Sequence, residues 1–242
     1  MTGRFQLSRL NVAMVSAALV ATIVFTFVLV THLNQNNQIP NVRVSGIPST
    51  VSTPLANLMS LSPVPPRSAP GFRLTDQKGR NISLLSFRGK DVVLEFMDPH
   101  CVDICPLVSQ EFVDAFHDLG VTSTHVVFLA VNVNQYFASV ANVAAYSNEH
   151  QLDSIPSWHF FTGTTGALHA VWRDYGVAVE ASNPRADIVH TSVIFFIDSR
   201  GRERYIAVPE ADHTSKGVAF LPAESLISWG RGIALVVKSL SR

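Results

Sequence analysis

An apolar run, Val92-Val93-Leu94-Glu95-Phe96-Met97, leads within a few residues to the chain's only two cysteines, Cys101 and Cys105, with Pro106 directly after. The run is rich in β-branched and aromatic residues, which predicts a buried strand. Behind it, Val108, Phe112, Val113 and Phe116 recur at helical spacing through 107–119. The cysteines thus fall where a strand hands over to a helix. Their i, i+4 spacing predicts that both share one helical face. Consecutive helical turns rise about 5.4 Å, which a disulfide spans readily. Two such sulfurs can also hold one soft metal ion. A helix N-terminus favours thiolate over thiol, and the thiolate is both nucleophile and metal ligand. A purely structural pair is the plainer alternative, but this context points to redox or metal chemistry.

The N-terminal part has a different character. No Asp or Glu occurs before Asp76, although the 242-residue chain balances 18 basic against 18 acidic residues overall. That balance gives no reason to expect nucleic acid as a partner. Residues 11–31 (NVAMVSAALVATIVFTFVLVT) carry no charge. About 20 apolar residues cross a bilayer as a helix, and the run exceeds the apolar core of a cleaved signal peptide. Arg4 and Arg9 precede it while only Arg43 follows closely. The positive-inside rule then holds residues 1–10 in the cytoplasm and sends the rest across the membrane. Residues 32–68, rich in Asn, Ser and Pro, read as an extended spacer. Residues 69–242 read as the globular domain.

Within that domain, extended and helical patterns alternate. Residues 69–74 and 81–84 flank a turn, 126–133 is a second apolar strand, and 139–150 a helix. Thr191-Ser192-Val193-Ile194-Phe195-Phe196-Ile197-Asp198 is a further strand leading into a turn, and 223–240 is a closing amphipathic helix. The order is that of an α/β, thioredoxin-like fold, a central mixed sheet flanked by helices, preceded by a transmembrane helix.

Several segments carry a closer resemblance. They are Pro70-Gly71-Phe72-Arg73-Leu74-Thr75-Asp76-Gln77, Gly89-Lys90-Asp91-Val92-Val93-Leu94-Glu95-Phe96 and Cys101-Val102-Asp103-Ile104-Cys105-Pro106. Further on come Trp158-His159-Phe160-Phe161-Thr162-Gly163, Tyr175-Gly176-Val177 and Val189-His190-Thr191-Ser192. Together they resemble the Sco (SenC-type) family of membrane-anchored copper proteins that help assemble cytochrome c oxidase. The resemblance covers about residue 69 to the C-terminus. It implies a copper ion, Cu(I) or Cu(II), held by Cys101, Cys105 and the distal His190. It also implies the copper-receiving subunit of cytochrome c oxidase as partner, through its copper A centre, and a metallochaperone role on the extracytoplasmic side rather than an enzymatic one. The donor set suits the metal, since thiolates favour Cu(I) and imidazole with thiolates also supports Cu(II). One departure stands out: family members carry Asp-Pro-x-x-Asp after the central strand, where this chain has Val131-Asn132-Val133-Asn134-Gln135-Tyr136. That change bears on partner recognition or on electrostatics near the site.

The rival reading is an extracytoplasmic thiol–disulfide oxidoreductase using Cys101 and Cys105. The spacing is one residue longer than C-x-x-C, which tilts against it. Peroxiredoxins place a Thr three residues before the peroxidatic cysteine, where this chain has Asp98 or Val102. A membrane-tethered adaptor would leave the cysteines incidental. His100, beside Cys101, is either a transient ligand or a residue that tunes the thiolate. His150, His159 and His169 have no motif support and read as surface or satisfied core residues.

Overall fold

The structure, a computed structural model, describes residues 45–185 and 187–240. The apolar run 11–31 lies outside them. Among the described residues no helix is long and apolar enough to cross a membrane.

Three strands that the sequence makes almost wholly apolar form the parallel half of a six-stranded sheet. They are β4 (Asp91–Met97), β5 (Val126–Asn132) and β6 (Trp158–Phe161), with β4 pairing β5 and β5 pairing β6 in parallel. Each link crosses over through a helix, α2 (Cys105–Leu119) and then α3 (Val140–Glu149). On the other side of β4, the hairpin β9 (Ile194–Ile197) and β10 (Arg202–Ala207) continues the sheet antiparallel. β1 (Ser62–Ser68) closes it, giving the order β1-β10-β9-β4-β5-β6. This is a mixed α/β, thioredoxin-like arrangement.

Both faces of the sheet are covered, which explains the unbroken apolar runs. Val93 and Met97 of β4 face α2, α3 and the closing helix α5 (Ala223–Leu240), among Val108, Phe112, Tyr146 and Trp229. Val92, Leu94 and Phe96 face the opposite layer, filled by Leu168, Val171 and Trp172 of α4 (Thr165–Tyr175). Small ladders decorate this frame: β2 (Arg73–Thr75) with β3 (Asn81–Ser83), β7 (Val179–Glu180) with β8 (Val189–His190), and β11 (Asp212–His213) with β12 (Ala219–Phe220).

The expected spacer differs over its second half. Residues 51–68 are packed onto the domain: Val51 and Met59 are fully buried, and Thr53–Leu58 form the short helix α1. Pro63, Pro65 and Pro66, which read as linker, sit in β1 at the sheet edge. Proline cannot donate to a ladder, but an edge strand pairs on one side only. The register indeed shifts between Pro63 and Arg67, and Arg67 Nε then donates to the buried Glu203 carboxylate at 2.6 Å.

α5 lies close on α1 and α2 because two of its residues lack side chains. A Cβ on Gly230 would stand 2.5 Å from Asp114 Cβ and 3.1 Å from the Ala115 backbone nitrogen. A Cβ on Gly232 would strike the Met59 sulfur. Alanine is the better helix former by roughly 1 kcal/mol, yet overpacking costs about 1–3 kcal/mol. Gly230→Ala is therefore expected to lower the urea midpoint, and a raised midpoint would overturn the close-approach argument.

Candidate metal centre

The turn after β4 is built on Asp98. Its carboxylate Oδ1 accepts from the His100 amide at 2.8 Å, and its carbonyl accepts from the Cys101 amide at 3.1 Å. Helix α2 then begins at Cys105, with Pro106 in its first turn, where a missing N–H costs nothing. Cys101 accordingly lies outside the helix, a correction to the expectation that both cysteines share one helical face. The Asp98–Cys101 turn brings them together instead.

Both cysteines are free, Cys105 being buried and Cys101 partly exposed. The Cys105 thiol donates a hydrogen bond to the Cys101 sulfur, and the amides of Cys105 and Asp103 donate to it as well. Led by the Cys105 contact and opposed by burial, these donors bring the Cys101 pKa down to about 7. The Cys105 thiol is pushed well above its usual value, first by that same bond and then by burial. The pair is polarised: Cys101 is the cysteine that ionises near neutral pH, and Cys105 is the one that keeps its proton.

His190 sits in β8 opposite Val179. Its Nδ1 lies 3.0 Å from the Thr191 carbonyl. A carbonyl only accepts, so Nδ1 carries the hydrogen and the Nε2 lone pair of the neutral ring is open for a ligand role. Burial holds its pKa below the ordinary imidazole value, against the opposing Thr191 carbonyl and Asp98 carboxylate. The structure does not gather His190 with the two sulfurs: among the described residues no three His, Cys, Asp or Glu side chains are placed to hold one metal ion.

The other histidines divide. The His100 ring stacks on Phe137, centroids 3.6 Å apart. His159 Nδ1 pairs with buried Asp76 at 3.1 Å, and His169 with Gln135 at 2.8 Å. His150, at the end of α3 with its ring 4.2 Å from Tyr146, joins His100 and Cys101 around one groove. Nothing in the sequence links His150 to the cysteines; the α3 crossover does.

Asn132 and Asn134, the departure noted above, are buried. Asn132 Oδ1 accepts from the Asn134 amide at 2.7 Å, and Asn134 Nδ2 donates to Asp98 Oδ1 at 2.9 Å. They brace the cysteine turn from within. The turn is also tied from outside, where His213 of β11 meets Asp103 at 2.8 Å.

Two carboxyls escaped the sequence reading. Glu95 of β4 and Glu111 of α2 are each only 1 % exposed, and each has one oxygen without a hydrogen-bond partner. Burial pushes Glu95 up to about 8, against donors that include the Ser192 hydroxyl. Glu111 is driven well above the carboxylate range by burial, with added repulsion from Glu95 and Asp114.

The site is thus a polarised thiol pair at the head of a helix in a thioredoxin-like frame. A family model described as SCO1/SenC matches residues 63–217. The chain belongs to the SCO1/SenC family. No curated protein sequence matches it. Among solved structures it is similar to copper-bound ScoI of Bradyrhizobium japonicum, with 21% identity over 72% of this chain and 99% of that one, TM-score 0.56. It is also similar to copper-bound ScoI of Arabidopsis thaliana, with 20% identity, 72% and 99% coverage and TM-score 0.57. BsSco, described as a Sco-family cytochrome c oxidase assembly protein with a disulfide switch, shares 19% identity over 72% and 96%, TM-score 0.52. At these identities the likeness is one of fold.

A carboxyl with a raised folded pKa keeps a proton that the unfolded chain has already lost. Its stabilisation is full below the unfolded value of 4.5 and declines as pH rises through about 8. Stability is therefore expected to fall between about pH 5 and pH 9. Glu95→Gln should flatten much of that slope, gaining on the order of a few kcal/mol at the alkaline end, with Glu111 carrying the remainder. Urea midpoints across the pH range check this. An unchanged slope in the variant would remove Glu95 as its source.

Proposed function

We propose that this protein binds copper through Cys101, Cys105 and His190 and delivers it to a respiratory oxidase subunit, the copper A centre of cytochrome c oxidase. The observation that carries the reading is the polarised pair, one accessible thiolate contacting one buried thiol, within a family whose solved relatives include copper-bound proteins. The donors fit the metal: two sulfurs suit Cu(I), and the open Nε2 of His190 extends the set to Cu(II). His190 would complete the donor set only if the short β7–β8 ladder that carries it moved toward the sulfurs. Copper uptake displaces the Cys105 proton, so affinity rises with pH.

The same polarity serves thiol–disulfide exchange, in which a thiolate attacks and its partner resolves. The two activities are compatible, because a copper client's thiols must be reduced before loading. His190 separates them, since metal binding uses the imidazole and exchange does not.

With Cu(I) titrated into the reduced protein, one equivalent is expected to bind. Cys101→Ser or Cys105→Ser should cost more than the roughly 10–100-fold that outer-shell substitutions cost. His190→Ala should abolish Cu(II) binding and its thiolate-to-copper absorption while leaving weaker Cu(I) binding. The double cysteine variant should also fail to restore oxidase activity to a copper-limited deletion strain. Unchanged stoichiometry and spectrum in Cys101→Ser would reject the site, and full complementation by the double variant would reject the role.

The proposal also places residues 11–31 across the membrane with 1–10 in the cytoplasm and the domain outside, on the charge pattern alone. A reporter fused after Arg242 should then be active only outside the cytoplasm; release of a soluble species cut near residue 35 would sink the anchor.

A further inference from the structure

Cys101 lines an open groove of about 530 Å³ between the cysteine turn and α3. His100, Cys101 and Val102 form one wall, and Ala145, Glu149 and His150 the other. Neither Cys105 nor His190 lines it. The space is far larger than a metal ion requires and lies in the range of ligand pockets. Val102, beside Cys101, is 92% exposed. No Lys or Arg lines the groove, and Glu149 is its one carboxylate, so it offers no lysine or arginine charge to a phosphate or another anion.

From this placement we propose that the groove is the docking track for an extended, cysteine-bearing segment of the protein that exchanges copper or thiols with Cys101. The inference rests on the function proposed above and adds the direction of approach. Cys105 is only 2 % exposed, so an incoming sulfur meets Cys101 first. Val102 and Ala145 supply apolar contact on either side of the segment. Asn142 and His150 supply side-chain hydrogen bonding for its backbone amides and carbonyls, which an extended peptide leaves free.

The exchange step balances without metal. The Cys101 thiolate attacks the disulfide of a peptide cysteine activated with thionitrobenzoate. The Cys101–peptide disulfide forms, the peptide–thionitrobenzoate bond breaks, and coloured thionitrobenzoate leaves with the electron pair. The experiment uses the full-length chain carrying Cys105→Ser, so that no resolving thiol breaks the product. Release rates are compared for a short peptide with one activated cysteine between apolar residues and for the small reagent dithiobis-nitrobenzoate.

Ala145 is exposed on α3, so Ala145→Trp fills the groove without disturbing the core. It is expected to slow the peptide by about tenfold, as loss of an apolar docking contact does, and to leave the small reagent within about twofold. Ala145→Ser, which adds no bulk, should match the parent. Peptide and reagent slowed in parallel, or neither slowed by Ala145→Trp, would overturn the docking track. Cu(I) binding by Ala145→Trp in the Cys105-containing chain is expected to be unchanged. Intact copper binding with no groove effect therefore rejects this inference alone, whereas lost binding in Cys101→Ser tests the function itself.

Discussion

One buried residue, Asp98, carries the geometry of the cysteine turn. Its carboxylate accepts from the His100 amide and the Asn134 side chain, its carbonyl accepts from the Cys101 amide, and its own amide donates to the Cys105 sulfur. Four bonds to one residue tie together the end of β4, the loop after β5 and both cysteines. Buried polar groups are costly unless partnered, and here each partner is supplied by an element the sheet already fixes. The turn is consequently set by the sheet rather than by the helix that follows it. Cys101 can then lie outside α2 and still meet Cys105.

The charge distribution beneath that turn is the counterpart of its rigidity. Cys105, Glu95 and Glu111 lie in the layer between β4 and α2, where burial disfavours every negative charge. Repulsion among them adds to burial, so ionising any one of them makes the others hold their protons more tightly. The negative charge collects at Cys101, where amide donors and partial exposure stabilise it. A chain with an apolar residue in place of Glu95 would keep the same fold. The carboxyl instead links the stability of the domain to pH.

What the sequence makes legible follows from which physical signals are local. The β4 run, the β5 run and the amphipathic α5 are written as unbroken or periodic apolar patterns, and the strand-to-helix position of the cysteines follows from them. β1 was hidden because proline signals a loop unless one knows that the strand will be an edge. α4 escaped because Gly166 and its polar face interrupt the pattern, although Leu168, Val171, Trp172 and Tyr175 are buried on one side. Glu95 falls inside an otherwise apolar run; only the fold shows that it is buried on the α2 side of β4 with one carboxyl oxygen unpartnered among the described residues. Asn132 and Asn134 read as a surface change, and their burial turns them into bracing for Asp98. Proximity of His150 to Cys101 depends on where a crossover helix ends, which no local pattern encodes.

The scaffolding of the candidate ligands is unequal, and under the proposed function that inequality has a consequence. Cys101 and Cys105 are fixed by the Asp98 unit and by α2, whereas His190 rides on a ladder of two residues a side. That ladder is held to the frame by bonds such as Thr191 N to the Ala178 carbonyl at 3.0 Å. Segments with few buried contacts open at low free-energy cost. A copper protein that must release its cargo needs one ligand that yields before the others, and the imidazole is the one placed on the weakest element. Capture by the sulfur pair at the Asp98 turn and release through the nitrogen on the two-residue ladder would then be properties of the scaffold rather than of donor chemistry alone.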